Sequence, residues 1–308
     1  MLLKLKPVKK HIIWGGEKLS KEYGIGDKGE KVAEAWQLTC RSDGDNEIEN
    51  GKYKGKCFSE YIKDHPESIG TNNTFDRFPL LIKLIDAGAD LSIQVHPNDE
   101  YAKSHSTDLG KTEMWYIVEA EEGAKIAYGL KKKYSRFELE KAIENGTLQE
   151  YVNYVNVKAG ETYFIPSGTV HAICAGLLIA EIQQDSNITY RVYDYNRRQP
   201  DGSLRQLHIT DALNVIETVD PSEITSKSYG DTIADCRFFK VRVLKEIIDE
   251  SFVVDKESFL HLMCVDGAVT VKDNDEEITI AKGDSLFIPA CDGKVTVQGS
   301  GKIVATTL

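Results

Sequence analysis

The segment AGETYFIPSGTVH (159–171) recurs in degenerate form as KGDSLFIPACDGK (282–294). In both copies a glycine is followed six residues later by a proline, with a Phe-Ile pair directly before it. Gly160 thus matches Gly283, and Pro166 matches Pro289. An apolar strand closed by turn residues at both ends, written twice, restricts the chain to a fold holding two copies of one β-module. Chance recurrence is the less favoured alternative, because short turn motifs do repeat by accident. The same register sets Lys294 where the first copy has His171. The second copy is therefore without that imidazole.

Other segments agree with a mainly β chain. FPLLIKLIDA (78–87), LSIQVH (91–96), MWYIVEA (114–120), KIAYGL (125–130), ETYFIP (161–166) and LLIAEIQQ (177–184) read as strands, punctuated by Gly, Asp and Asn. Many short strands with regular turn signals predict a sandwich or barrel. A few helices interrupt them. Ser135 and Glu138 form a capping box, and Asn145-Gly146 supplies the stop. SEYIKDH (59–65) and TDALNVIETV (210–219) are further helical candidates. A length of 308 residues predicts about two domains, with a linker in the Ser-, Thr- and Asp-rich stretch 219–236.

Net charge is −11, which argues against a nucleic-acid or anionic-membrane partner. An anionic small substrate stays open, since a few buried cations set a local field of their own. The first residues, MLLKLKPVKKHIIWGG, carry Lys within every short apolar run and lack the apolar core of a signal peptide. No stretch approaches the apolar length of a membrane span. The six cysteines are scattered without a C-x-x-C pair, so reduced thiols in a cytoplasmic protein are expected.

Four metal-competent side chains stand in these strands: Gln94 and His96 in SIQVHPND, Glu113 in GKTEMWYIV, and His171 in IPSGTVHAI. Two imidazoles, one carboxylate and one amide oxygen suit a divalent cation acting as a Lewis acid. Gln94 and His96 are two apart, and a strand points such a pair to one face. A helix would separate them by about 200°. The other histidines, His11, His65, His105, His208 and His261, read as structural or surface residues. Lys111 is two residues from Glu113 and is expected on the same face. From position alone it is either an ion-pair partner or a holder of phosphate or of a developing oxyanion. Glu181 and Arg191 fall on what read as neighbouring strands joined by a turn at Ser186-Asn187. A salt bridge between them is one reading; a proton carrier and an anion clamp is the other.

Gly88 with Gln94-Val95-His96, followed by Gly160, Pro166, Gly168 and His171, resembles the two cupin signatures. In most cupins the first signature has His where this chain has Gln94. That departure, Lys111-Thr112-Glu113 and FPLLIKLIDA before it together resemble type I mannose-6-phosphate isomerases in their short bacterial form. Trp14-Gly15-Gly16 and Glu34-Ala35-Trp36 are similar to the N-terminal phrases of that family, although QLTCRSDG after it departs from the family's more acidic run. The resemblance spans about residues 7–215 and continues weakly through the second module.

The resemblance implies two cupin-type jelly-roll barrels or sandwiches with a few inserted helices, at about 17–65, 135–146 and 210–219. A catalytic metal-binding domain is expected over 1–235, and a degenerate cupin-like β domain without metal ligands over 236–308. It implies one zinc ion per chain on Gln94, His96, Glu113 and His171. Arg191, Glu181 and Lys111 are implied as catalytic residues, and Ser92, Lys111 and Arg191 as substrate-binding ones. The implied reaction interconverts mannose 6-phosphate and fructose 6-phosphate through a cis-enediol(ate), with a phosphosugar as the partner. The alternatives are a non-haem iron oxygenase, since two His and a carboxylate also make a facial triad, and a sugar-binding cupin without turnover. The oligomeric state is not expressed in the sequence.

Overall fold

The apolar runs become antiparallel strands in a computed structural model that describes residues 1–199, 201–218 and 228–308. Within the linker expected at 219–236, residues 219–227 lie outside the described residues, as does Val219 at the end of the helix expected at 210–219. The chain divides into two compact units. One comprises the described residues of 1–10, 17–84 and 226–308, the other those of 11–16 and 85–225. The division falls near the end of the Leu80–Ala87 strand, which is buried throughout.

In the first unit, one long sheet runs Thr232–Asp235, Lys240–Val254, Gly293–Thr307, Leu260–Lys272, Ser285–Ile288, Leu3–Lys6 and Glu47–Ile48. Glu277–Ala281 pairs with Leu260–Lys272 at its side. Even-numbered residues of Leu260–Cys264 pack with Leu286, Ile288, Val295 and Val297 into one apolar core, as the period of two requires. Residues 17–65, where helices are expected, hold only two short α-helices, Lys18–Glu22 and Phe58–Asp64. Between them Glu34–Leu38 is a strand paired with Val8–Lys10. Its Ala35, Trp36, Gln37 and Leu38 are all buried, a demand that pairing with a neighbouring strand meets.

The second unit is a sandwich. One sheet runs Val152–Asn156, Lys125–Leu130, His171–Ile173, Ile93–Val95 and Tyr190–Tyr193. The other places Glu113–Ala120 between Thr162–Ile165 and Leu177–Gln184. Helices Arg136–Glu144 and Ile209–Val215 cover the outer face of the first sheet: Leu139, Ala142, Ile143, Ala212 and Leu213 pack on Ile93, Val95, Ala172 and Val192. The alternate residues of those strands are left for the interior. Gly88 permits a tight crossing at the start of this unit. A Cβ there would stand 2.9 Å from the Gly15 carbonyl oxygen.

The internal repeat holds in three dimensions. Strands Thr162–Ile165 and Ser285–Ile288 occupy the same register of the two copies. Gly160 and Gly283 precede them with φ of 92° and 97°. After the proline, Gly168 and its counterpart Cys291 are both left-handed, at 85° and 67°. Lys294, matched to His171, is exposed.

Candidate active site

Register determines which side chains meet inside the sandwich. His171 and Arg191 lie directly opposite Gln94 on its two neighbouring strands, so the three form one row across the first sheet. In the facing sheet Glu181 is opposite Trp115 and Gln183 is opposite Glu113, which puts Glu113, Trp115, Glu181 and Gln183 on one face. The sequence reading sets Glu181 and Arg191 on neighbouring strands. The structure corrects this. Leu177–Gln184 and Tyr190–Tyr193 belong to different sheets, and residues 185–189 cross between them. Gln183 steadies that crossing by donating to the carbonyls of Gln184 and Ser186.

His96, Glu113 and His171 are buried, and one ligand atom from each lies within 4.8 Å of the others. His96 Nε2 is 3.5 Å from Glu113 Oε2, and His171 Nε2 is 3.4 Å from Glu113 Oε1. The Nδ1 atoms face backbone carbonyls, Ile188 O at 2.7 Å and Thr169 O at 2.8 Å. A carbonyl only accepts, so each Nδ1 carries the hydrogen and each Nε2 presents a lone pair. Burial holds His171 well below its ordinary range, at about 4, against the pull of the Thr169 carbonyl, so it is neutral near pH 7. Two lone pairs and a carboxylate thus converge, an arrangement of acceptors that calls for a cation. The chemistry of the donor set fits a divalent metal. Gln94 reaches the same place, its amide nitrogen 3.4 Å from His171 Nε2. Rotating that amide by half a turn presents its oxygen there instead.

Lys111 marks the spot as one of negative potential. Its ammonium is 2.8 Å from Glu113 Oε2, 3.2 Å from His96 Nε2 and 4.0 Å from Glu181 Oε1. Expected on the same face as Glu113, it lies in the loop just before that strand, and its ammonium meets the Glu113 carboxylate. It is fixed there because its own N–H donates to Pro97 O and that of Thr112 donates to Gln184 Oε1, both at 2.9 Å. Glu181 Oε2 accepts from the Trp115 indole N–H at 2.9 Å. Ser92 bridges the row in the first sheet: it accepts from Arg191 Nε at 3.2 Å and lies 3.4 Å from Gln94 Oε1. Arg191 Nη1 also donates to Gln206 O at 2.9 Å. Burial and then the neighbouring Arg205 lower the Arg191 pKa from its usual value.

All eight residues singled out from sequence therefore lie in this one unit. Gln94, His96, Lys111, Glu113, His171 and Glu181 are linked by contacts of 4.0 Å or less. Ser92 and Arg191 join them through Gln94. Sequence reasoning missed Trp115, which reads as an ordinary core residue of an apolar strand. It also missed the carbonyls of Thr169 and Ile188, which no side-chain pattern announces. The helix Asp99–His105 in the 97–112 loop went unread as well. Its signal was present: Asn98 caps it by accepting from Tyr101 N, with Asp99 and Glu100 in the first turn.

Comparison with known proteins adds a second line of observation. A family model described as phosphomannose isomerase type I, catalytic domain, matches residues 2–129. Another, described as mannose-6-phosphate isomerase, cupin domain, matches residues 231–308. The mannose-6-phosphate isomerase ManA of Bacillus subtilis is 36% identical over 98% of this chain and 98% of its own length. The mannose-6-phosphate isomerase of Streptococcus mutans is 36% identical over 96% of this chain and 94% of its own. A crystal structure of the mannose 6-phosphate isomerase from Bacillus subtilis superposes with a TM-score of 0.91 at 34% identity, covering 100% of this chain and 99% of that one.

Proposed function

Because the chain belongs to the type I phosphomannose isomerase family, and is an isomerase by that membership, we propose that its converging acceptors hold one zinc ion. In this reading Gln94, His96, Glu113 and His171 are the protein ligands. The reaction interconverts mannose 6-phosphate and fructose 6-phosphate through a cis-enediol(ate). When bound, such an ion supplies Lewis acidity to the sugar oxygens and offsets the charge that enolisation creates. The observation that carries the reading is the convergence of two Nε2 atoms and a carboxylate beside a lysine and a second carboxylate, all buried.

Each remaining task falls to a side chain. A proton must leave C2 of the aldose and return to C1, and Glu181 is the carboxylate placed to carry it. Lys111, nearest the acceptor cluster, suits the oxyanion that develops on the sugar. Arg191, held through Ser92 and the Gln206 carbonyl, has a planar fork suited to the phosphate. Ser92 keeps Arg191 and Gln94 in register with one another. In this reading the catalytic part expected over 1–235 draws its site residues from the unit that contains 85–225, and 236–308 is a supporting β part without ligands. No helix among the described residues is long and apolar enough to cross a membrane, and the free cysteines accord with a cytoplasmic enzyme.

A coupled assay with mannose 6-phosphate on metal-analysed protein, before and after chelation, tests the reading directly. Turnover should vanish on chelation and return with zinc. Arg191→Ala should lose most of the isomerase activity, at least a hundredfold in kcat/KM given the loss of a charged contact to substrate, while zinc content stays at one per chain. Near-normal turnover in that variant, or activity indifferent to chelation, would sink the assignment.

A further inference from the structure

The two oxygens of Glu181 are not equivalent. Trp115 lies directly across the strand pair from Glu181, and its indole N–H donates to Oε2 at 2.9 Å. Both residues are buried, at 1% and 3% exposure. An indole N–H donates and never accepts. A proton placed on Oε2 would compete with that donor, and an unmet donor in a dry interior is costly. The other oxygen, Oε1, points to the side where Lys111 Nζ stands 4.0 Å away, next to the acceptor cluster. The indole is itself braced, edge-on against the His171 ring with centroids 5.5 Å apart.

We propose that Trp115 is a positioning residue: it holds Oε2 as a hydrogen-bond acceptor and thereby makes Oε1 the oxygen that carries the proton. The inference rests on Glu181 being the base, as read above. In the aldose-to-ketose direction the C2–H bond breaks and its electron pair becomes the C1–C2 double bond. The proton goes to Oε1, and the carbonyl electron pair moves onto O1. Oε1 then returns the proton to C1, while the hydroxyl proton of O2 passes to O1 and C2 becomes the carbonyl. Nothing is oxidised from outside, and the carboxylate is regenerated.

The test is a double-mutant cycle on the zinc-loaded full chain. Trp115→Phe removes the N–H and should lower kcat about tenfold to a hundredfold, with KM and metal content unchanged. In a Glu181→Gln background, where no proton-carrying oxygen remains to be oriented, the same change should lower residual kcat no further. Site-specific replacement of Trp115 by its benzothienyl isostere, with sulfur in place of the N–H, preserves the packing and should reproduce the Phe effect. Unchanged kcat in Trp115→Phe or in the isostere, with Glu181→Gln impaired, overturns the inference and leaves the base in place. Loss of metal, or an equal loss of kcat in both backgrounds, makes Trp115 a packing residue and overturns it too. Normal kcat in Glu181→Gln overturns both the inference and the reading beneath it.

Discussion

His171 and His261 are buried to 1% and 0% exposure, yet their surroundings give them different chemistry. His171 has one nitrogen on a carbonyl and the other toward a carboxylate. His261 lies between Leu260 and Leu262 in a strand whose pairing partners opposite it are Phe287 and Thr306. Burial depresses its pKa to about 3, opposed by the Gln37 backbone. The folded value lies below the unfolded value of about 6.5, so the unfolded chain binds more protons between the two. Stability from this residue is therefore full above about pH 6.5 and declines as pH falls below it, by roughly 2 kcal/mol at pH 5. His261→Gln should flatten that limb: urea midpoints at pH 7 and pH 5 should converge relative to the parent. Equal slopes in both proteins would show that His261 does not titrate on unfolding. At this scale the sequence was legible where chemistry is written in side chains at strand spacing, as for Gln94 and His96. It was silent where the partner is a backbone carbonyl or a tryptophan that passes for core.

Among elements, Leu80–Ala87, Ile93–Val95, Glu113–Ala120, Lys125–Leu130, Thr162–Ile165 and Leu177–Gln184 were readable from apolar runs. Glu34–Leu38, by contrast, lay where helices were expected, and the long strands Lys240–Val254, Leu260–Lys272 and Gly293–Thr307 were not singled out. The capping box of Ser135 and Glu138 forms as its residues imply. Boundaries and partners were harder. The helix expected over 210–219 stops at Val215, because Ile216 turns extended and Glu217 N donates to Gly168 O. Sheet membership of Leu177–Gln184 and Tyr190–Tyr193 could not be read, since a turn between adjacent strands and a crossing between sheets use the same residue types. The repeat exposes one local mismatch with a measurable consequence. Gly168 occupies its left-handed turn without a Cβ, whereas Cys291 must hold φ of 67° with one. Left-handed backbone costs an L-residue about 1–2 kcal/mol, partly offset by the entropy that glycine loses on folding. Cys291→Gly should then stabilise the protein by about 0.5–1 kcal/mol, visible as a higher urea midpoint at unchanged slope. A lower midpoint would mean that the side chain of Cys291 contributes more than its backbone strain removes.

For the whole molecule, the two copies of one β-module foreseen from sequence have unequal tasks. All candidate ligands and charged site residues fall in the unit that contains 85–225. The unit that contains the second copy has an apolar interior of Leu, Ile and Val. What could not be foreseen is that the first strand, Leu3–Lys6, pairs with Ser285–Ile288, because strand partners distant in sequence leave no local signature. A ligand that binds only the folded state adds stability of RT ln(1 + [L]/Kd), about 2.7 kcal/mol at a hundredfold excess over Kd. Here that stabilisation would enter through Glu113, His96 and His171, whose acceptor atoms lose the ion on chelation while Lys111 stays beside Glu113 and His96. Metal removal should therefore raise amide exchange first in Glu113–Ala120, His171–Ile173 and Leu177–Gln184. Exchange in Lys240–Val254 and Gly293–Thr307 should stay as it was under native conditions. Hydrogen exchange with and without chelator reads this strand by strand. If protection fell equally in both units, the metal would be stabilising the chain as one cooperative body, and the local account of its effect would fail.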